Sequence, residues 1–511
     1  MFVVISDREP KGSHGDHLMD PITKLARTCL VRTKQRELMR SDRRTHRIGS
    51  AHVLLLLVLL PLFWTKPAPA QSQDAQKPDL EQMRKRLEQL EQEMRDLKNQ
   101  LRAAEQTQKA PATTPPAAVA KAPAEAPKPA EAEQKPAGGT SLDVYGFVML
   151  DTGYDFRTNH PDWYDVVRPT KLPSYPGEFA PDGKVYAGVR QTRFGVKSST
   201  PTKYGDLKTQ FEFELFGTGV DAGQTTFRLR HAYGELGQFG AGQTWSPFMD
   251  IDVFPNSVEY WGPTGMVFFR NVQVRWMPLK GDSRIIIALE RPGASADQGI
   301  YQDRIELQGV KPRFNWPDLS GQARMGRKWG YLQAAGIVRK IGWEDIDNVG
   351  PNLSGSAIGW GLNFSSNLYF TKNNTGKFSV VYGEGIQNYM NDAPTDIGIR
   401  NNFSDPSKPI VGVPLPLLGI VAFLDHNWNE RFSSSIGYSM LDIQNSDAQA
   451  MNAFHQGHYA LANLLYYPVK KVMVGGEFQF GRRVNYSDGF NVNDYRMQFS
   501  FRYDWAKGFA F

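Results

Sequence analysis

The chain has 511 residues and a formal net charge of +6. That excess sits wholly in residues 1–70, with 12 Lys/Arg and 6 Asp/Glu, while residues 71–511 carry 47 of each sign. The basic pI is therefore no footprint for nucleic acid, and a nucleic-acid partner is excluded on this ground. The single cysteine, Cys29, also lies in the first part, so the rest of the chain has no disulfide, thiolate nucleophile or cysteine metal site.

Residues 1–70 read as an N-terminal extension and a secretory signal. Arg40, Arg43, Arg44 and Arg47 precede the apolar run "VLLLLVLLPLFW" (residues 53–64), and Ala68-Pro69-Ala70 supplies a small-x-small cleavage site. Twelve apolar residues fall short of the ~20 that a spanning helix needs, which disfavours the alternative of an uncleaved anchor. Met39 is a candidate true start, because signal peptides open near the beginning of a chain.

Residues 71–106 carry an unbroken heptad seam of Leu80, Met83, Leu87, Leu90, Met94, Leu97, Leu101 and Ala104. Spacings alternating between three and four residues predict a coiled coil rather than a broad core-facing helix, and hence self-association. Residues 107–140 form a Pro/Ala linker with seven prolines. Such a segment packs no core and extends at about 3.1 Å per residue as a semi-rigid spacer.

Residues 141–511 show period-2 alternation instead. "LKTQFEFELFG" sets Leu207, Phe211, Phe213 and Leu215 against Lys208, Gln210, Glu212 and Glu214. The chain's end sets Met497, Phe499, Phe501, Tyr503 and Trp505 against Arg496, Gln498, Ser500, Arg502 and Asp504. We count sixteen such segments, at 142–156, 186–199, 206–217, 225–236, 239–245, 269–277, 283–291, 317–325, 330–340, 355–370, 376–388, 417–428, 430–445, 457–468, 470–486 and 494–511.

One greasy and one polar face suits a sandwich as well as a membrane barrel. Connection lengths separate the two. Odd-numbered connections are often long, as at 157–185, 246–268 and 389–416, whereas even-numbered ones such as Gly237-Gln238 are tight turns. Long loops on one side and short turns on the other predict an all-β, 16-stranded antiparallel transmembrane barrel preceded by the coiled coil. An even strand number puts the coiled coil on the short-turn, periplasmic side. The aromatic last strand is expected to close the barrel, face outer-membrane lipid and engage the barrel-assembly machinery. "HYALANLLYYPV" (residues 458–469) fits poorly, being apolar on both faces, and is expected in a subunit interface or behind a packed loop.

The stretches "LDVYGFVMLDTGYDF", "RQTRFGVKSST", "FRLRHAYGEL" and "GAGQTWSPFMD", with the heptads and linker before them, resemble the DcaP-like family of outer-membrane porins. The resemblance implies a homotrimeric diffusion channel, periplasmic coiled coils and a preference for small anions such as dicarboxylates. It also implies that "SPFMDIDVFPNSVEYWGPTGMVF" (residues 246–268), with Asp250, Asp252, Glu259, Tyr260 and Trp261, is the constriction loop. Such barrels commonly stop soon after a final aromatic, here Tyr503 or Trp505, whereas this chain runs on to "AKGFAF".

Strand parity names pore-lining cations. With Phe194, Phe227, Val272 and Val274 facing lipid, Arg193, Lys197, Arg228, Arg230 and Arg275 point inward. Arg190 and Arg270 have the wrong parity, and Arg270 is kept as a lower-ranked candidate. Arginine's fixed fork suits carboxylate or phosphate, so these residues form either an anion-attracting wall or ion pairs with Glu212, Glu214 and the loop acids. A lysine-lined phosphate-selective porin and a general porin with an envelope-tethering coiled coil are the alternatives. No enzyme is expected, since neither G-x-S-x-G nor H-E-x-x-H occurs. His455 and His458, three apart in a predicted outer loop, are expected to be solvated rather than to bind a metal, and no cofactor is expected. The heptad seam and the resemblance predict that the purified protein sediments as a trimer that survives heating in detergent. A monomer with the coiled coil intact contradicts this.

Overall fold

The computed structural model describes residues 139–293, 305–347 and 350–511. The expected signal segment, heptad seam and nearly all of the linker lie outside the described residues. Sixteen strands form one closed antiparallel barrel. They are β1 (Ser141–Asp155), β2 (Lys184–Gly188 and Arg193–Thr202), β3 (Gly205–Phe216) and β4 (Thr225–Leu236). Next come β5 (Phe239–Trp245), β6 (Arg270–Leu279), β7 (Arg284–Glu290) and β8 (Val310–Pro312 and Asp318–Arg327). The second half holds β9 (Gly330–Asp345), β10 (Gly355–Thr371), β11 (Asn374–Glu384) and β12 (Pro416–Asn427). β13 (Phe432–Ile443), β14 (Phe454–Tyr466), β15 (Val472–Asn485) and β16 (Asn491–Ala510) complete it.

Each expected segment corresponds to one of these strands. Closure runs from Ser141 opposite Ala510 to Asp155 opposite Arg496, so "AKGFAF" continues the last strand almost to its end. Phe499, Phe501 and Tyr503 are exposed on the outer face, while Arg496, Gln498 and Ser500 are buried inside. His455 and His458 belong to β14 rather than to a loop; the His455 ring nitrogen meets the Ile443 carbonyl at 2.9 Å.

Two strands are interrupted. β2 breaks between Gly188 and Arg193, and the break holds Arg190. Its Nη1 pairs with Asp165 at 2.6 Å and its Nη2 donates to the Gly217 carbonyl at 2.9 Å. Arg190, ranked low by parity, thus lies in the break of β2 and ties two loops together. β4 shifts register against β3 near Glu212. As a result Arg230 and His231, neighbours in sequence, are both buried, which alternation alone forbids.

Loop 3 (residues 246–269) leaves β5 and folds inside the barrel. Phe248, Met249, Met266, Val267 and Phe269 of the loop pack on Leu417, Val421, Phe423, Leu441, Ile443, Tyr459 and Leu461, which line the inner faces of β12–β14. This explains why "HYALANLLYYPV" is apolar on both faces: one faces outward and the other lies behind a packed loop. Burying each large side chain contributes roughly 1.5–3 kcal/mol. Contact is closest at Gly265. A Cβ there would lie 2.0 Å from the Met440 carbonyl oxygen and 2.7 Å from the Ile420 nitrogen. Gly265→Val is expected to unseat the loop from β12 and β13, at the ~1–3 kcal/mol typical of overpacking. The check is the thermal unfolding midpoint of detergent-solubilised protein, and an unchanged midpoint overturns the close approach.

Candidate functional site: the inner wall and loop 3

Loop 3 is tied to the inner wall along most of its length. Asp250 accepts from Tyr331 of β9 at 2.7 Å and from Ser365 of β10 at 2.6 Å, and also pairs with Arg324 of β8. Asp252 pairs with the same Arg324 at 2.5 Å. The Phe254 carbonyl accepts from Lys377 of β11 at 2.5 Å, and the Asn256 carbonyl from Asn463 of β14 at 2.7 Å. Val258 donates its N–H to Glu477 of β15 at 3.0 Å and accepts from Gln498 of β16 at 3.0 Å. The loop thus tracks the wall from β8 round to β16, and its tip goes on to β3.

Glu259 has no guanidinium within pairing distance among the described residues. It accepts instead from the Val167 N–H at 3.1 Å and from the Gly262 N–H. Burial pushes its carboxyl up to about 7, partly opposed by those two N–H donors, with Glu477 adding repulsion. Tyr260 stacks on Phe216 with ring centroids 3.9 Å apart and donates its hydroxyl to Glu214. Trp261 donates its indole N–H to the Asn391 carbonyl at 2.8 Å. It meets Trp163 edge to face, with centroids 4.9 Å apart, and the Arg168 guanidinium lies 4.0 Å from the Trp261 ring and 4.1 Å from that of Trp163.

The tip meets a wall built by β2, β3, β4 and β6. Arg230 bridges two carboxylates, at 2.6 Å to Glu212 and 2.5 Å to Glu214. Arg193 lies 3.7 Å from Glu212 and 3.3 Å from Glu214. Arg228 and Arg270 approach Glu214 at 3.8 and 3.6 Å. Four expected arginines therefore converge on two glutamates. Arg193 and Arg228 keep side-chain exposures of 25% and 13%, whereas Arg230 and Arg270 are each 6% exposed. Arg270, ranked low by parity, belongs to this cluster. It opens β6, where the first two residues, Arg270 and Asn271, are both buried before alternation starts.

The remaining expected cations lie apart from the glutamates. Arg275 donates to Gln273 at 3.1 Å and to the Trp245 carbonyl at 2.9 Å. Lys197 places its ammonium 4.8 Å from the Tyr145 ring centroid. Sequence reasoning missed His231, whose Nδ1 lies 3.0 Å from the Thr244 hydroxyl, because only the register shift turns it inward. It also missed Arg168, which pairs with Asp392 at 2.9 Å. No spacing signal links residues 224 apart in the chain.

Removing the hydroxyl of Tyr260 tests whether the tip is held by Glu214. Tyr260→Phe is expected to keep the stacking on Phe216 but loosen the tip, seen as larger open-channel current noise in planar bilayers. Noise equal to that of the unaltered protein overturns this.

The family model described as DcaP outer membrane protein matches residues 118–324. A comparison with curated proteins found no match. Among solved structures, the chain is similar to the outer membrane channel DcaP of Acinetobacter baumannii, with 19% identity and a TM-score of 0.60, covering 73% of this chain and 100% of that one. It is also similar to an anion-selective porin from Comamonas acidovorans, with 10% identity and a TM-score of 0.47, covering 72% and 100%. The matched family and the solved neighbours are channels rather than enzymes. The family model thus reaches from within the linker through the first half of the barrel, and the barrel shares its fold with the solved DcaP channel.

Proposed function

We propose that the chain forms a trimeric, water-filled channel for passive diffusion of small anionic organic acids such as dicarboxylates. In this reading residues 71–106 form a periplasmic coiled coil, and residues 107–140 space it from the barrel. The observation that carries the anion preference is the convergence of arginines on Glu212 and Glu214. Even with Arg228 set aside, Arg193, Arg230 and Arg270 put three guanidiniums against two carboxylates. Arg275 adds a fourth, bonded to neutral acceptors. A lumen bounded by low-dielectric walls magnifies such an excess. Arginine's planar fork also matches a carboxylate in a bidentate way.

Pairing itself favours a second reading. Arg230 is committed to Glu212 and Glu214, and Arg324 to Asp250 and Asp252. Cancellation of this kind describes a weakly selective general porin. A lysine-lined phosphate channel has less support, since Lys197 is the single lysine among the candidate wall residues.

Liposome swelling with succinate, phthalate, phosphate and an uncharged sugar separates these readings. Faster entry of the dicarboxylates at low salt, fading as salt screens the wall, is the expected result. Equal rates for charged and neutral solutes leave the general porin. Arg193 and Arg228 are the more exposed cations, so the double variant Arg193→Gln, Arg228→Gln is expected to fold. Its reversal potential under a salt gradient should shift toward cations, and an unchanged potential assigns these arginines to structural pairing.

A further inference from the structure

A second cavity, with three cations in its lining, lies apart from the arginine wall, among the ends of β14 and β15 and the long loops. Its volume is about 660 Å³, and its lining includes Arg168, Lys171, Arg483, Glu306, Leu307 and Phe454. Arg483 is buried and makes only neutral hydrogen bonds among those observed. It donates to the carbonyls of Thr170 at 3.2 Å, Leu172 at 3.4 Å and Asn452 at 3.0 Å, and to the Asn485 side chain at 2.9 Å. Arg168 is 4% exposed; its Nε serves Asp392, while its buried Nη1 has no hydrogen-bond partner. A guanidinium N–H without an acceptor is costly. Lys171 adds a third cation to this side of the lining.

The cavity is two-sided in chemistry. Ile305, Leu307, Val310, Pro312 and Pro394 give it apolar wall. Carboxylates near the cations are Asp392, Glu178 and Asp488, and Glu306 lies in the lining itself. The two arginines and the apolar residues fit one ligand chemistry: a single anionic head on an apolar body.

We propose that this cavity binds an organic anion of that kind at a site distinct from the arginine wall of loop 3. The porin reading enters only through the route by which the solute arrives, since binding here requires no transport. Binding of cyclohexanecarboxylate to the purified full-length protein is measured by calorimetry. Its amide and inorganic phosphate serve as the uncharged and the non-apolar probes. Cyclohexanecarboxylate is expected to bind roughly tenfold more tightly than either, the scale of one charge-assisted hydrogen bond.

Arg483→Gln is expected to weaken binding by about tenfold on the same grounds. Because that change also strips three carbonyls of their donor, Thr395→Glu supplies a second variant. It adds a negative charge to the lining and removes no hydrogen bond of the cations, and it should weaken binding likewise. The double variant Arg193→Gln, Arg228→Gln should bind as the unaltered protein does. Unchanged binding in Thr395→Glu, equal binding of phosphate, or loss of binding in the Arg193/Arg228 variant each overturns the site. Absence of solute-dependent swelling with binding intact defeats the transport reading and leaves this one standing.

Discussion

Everything in this molecule depends on satisfying backbone polar groups in hydrocarbon. A membrane-spanning sheet with a free edge leaves a row of unpaired N–H and C=O groups, each costing several kcal/mol. The chain meets that constraint by pairing its first and last strands over their whole shared length, from Ser141 with Ala510 to Asp155 with Arg496. The aromatic alternation that runs to the end of the sequence follows from this. Phe499, Phe501 and Tyr503 are exposed on the outer face, and the polar residues between them face the lumen. A closed barrel has an inside, and the inside admits a loop.

Loop 3 turns that interior from a pipe into a shaped passage. It is held by two kinds of force on different parts of the wall. Over β12–β14 the contact is apolar and close, as Gly265 lies against the backbone at Ile420 and Met440. Elsewhere it is a chain of charged and polar bonds, from Asp250 at β8–β10 to Val258 at β15 and β16. Buried polar groups are costly unless satisfied, so the loop's carboxylates and the strands' side chains constrain each other. A shift of the loop leaves both sides unpaired, which fixes one conformation more sharply than apolar packing alone.

What was legible in the sequence follows from what has a period. Alternation marked all sixteen strands, and loop lengths marked the two sides of the barrel. Parity placed Arg193, Arg228, Arg230 and Arg275 on the inner wall. It failed wherever a strand is irregular. The register shift near Glu212 brings His231 inward beside Arg230, and the start of β6 admits Arg270 before alternation begins. Apolar inner faces on β12–β14 looked anomalous because their cover, loop 3, is nearly two hundred residues earlier in the sequence. The pairing of Arg168 with Asp392 joins two loops through tertiary structure alone. Contacts of this kind leave no local trace.

The sequence also left open whether the loop acids cancel the arginine wall, and their bonding bears on this. Asp250 and Asp252 are engaged by Arg324 of β8, outside the β2–β6 cluster. Glu259 is held by backbone N–H groups, and burial favours its neutral form. The compensation for the arginines comes from the wall itself, through Glu212 and Glu214 on β3. Such pairs rarely add net stability, because desolvating both partners offsets their attraction. Their effect here is geometric. Two fixed carboxylates hold several guanidiniums side by side against mutual repulsion, at a place where the tip of loop 3 meets the wall. A cluster so held is preorganised, its guanidiniums fixed in place by the wall itself.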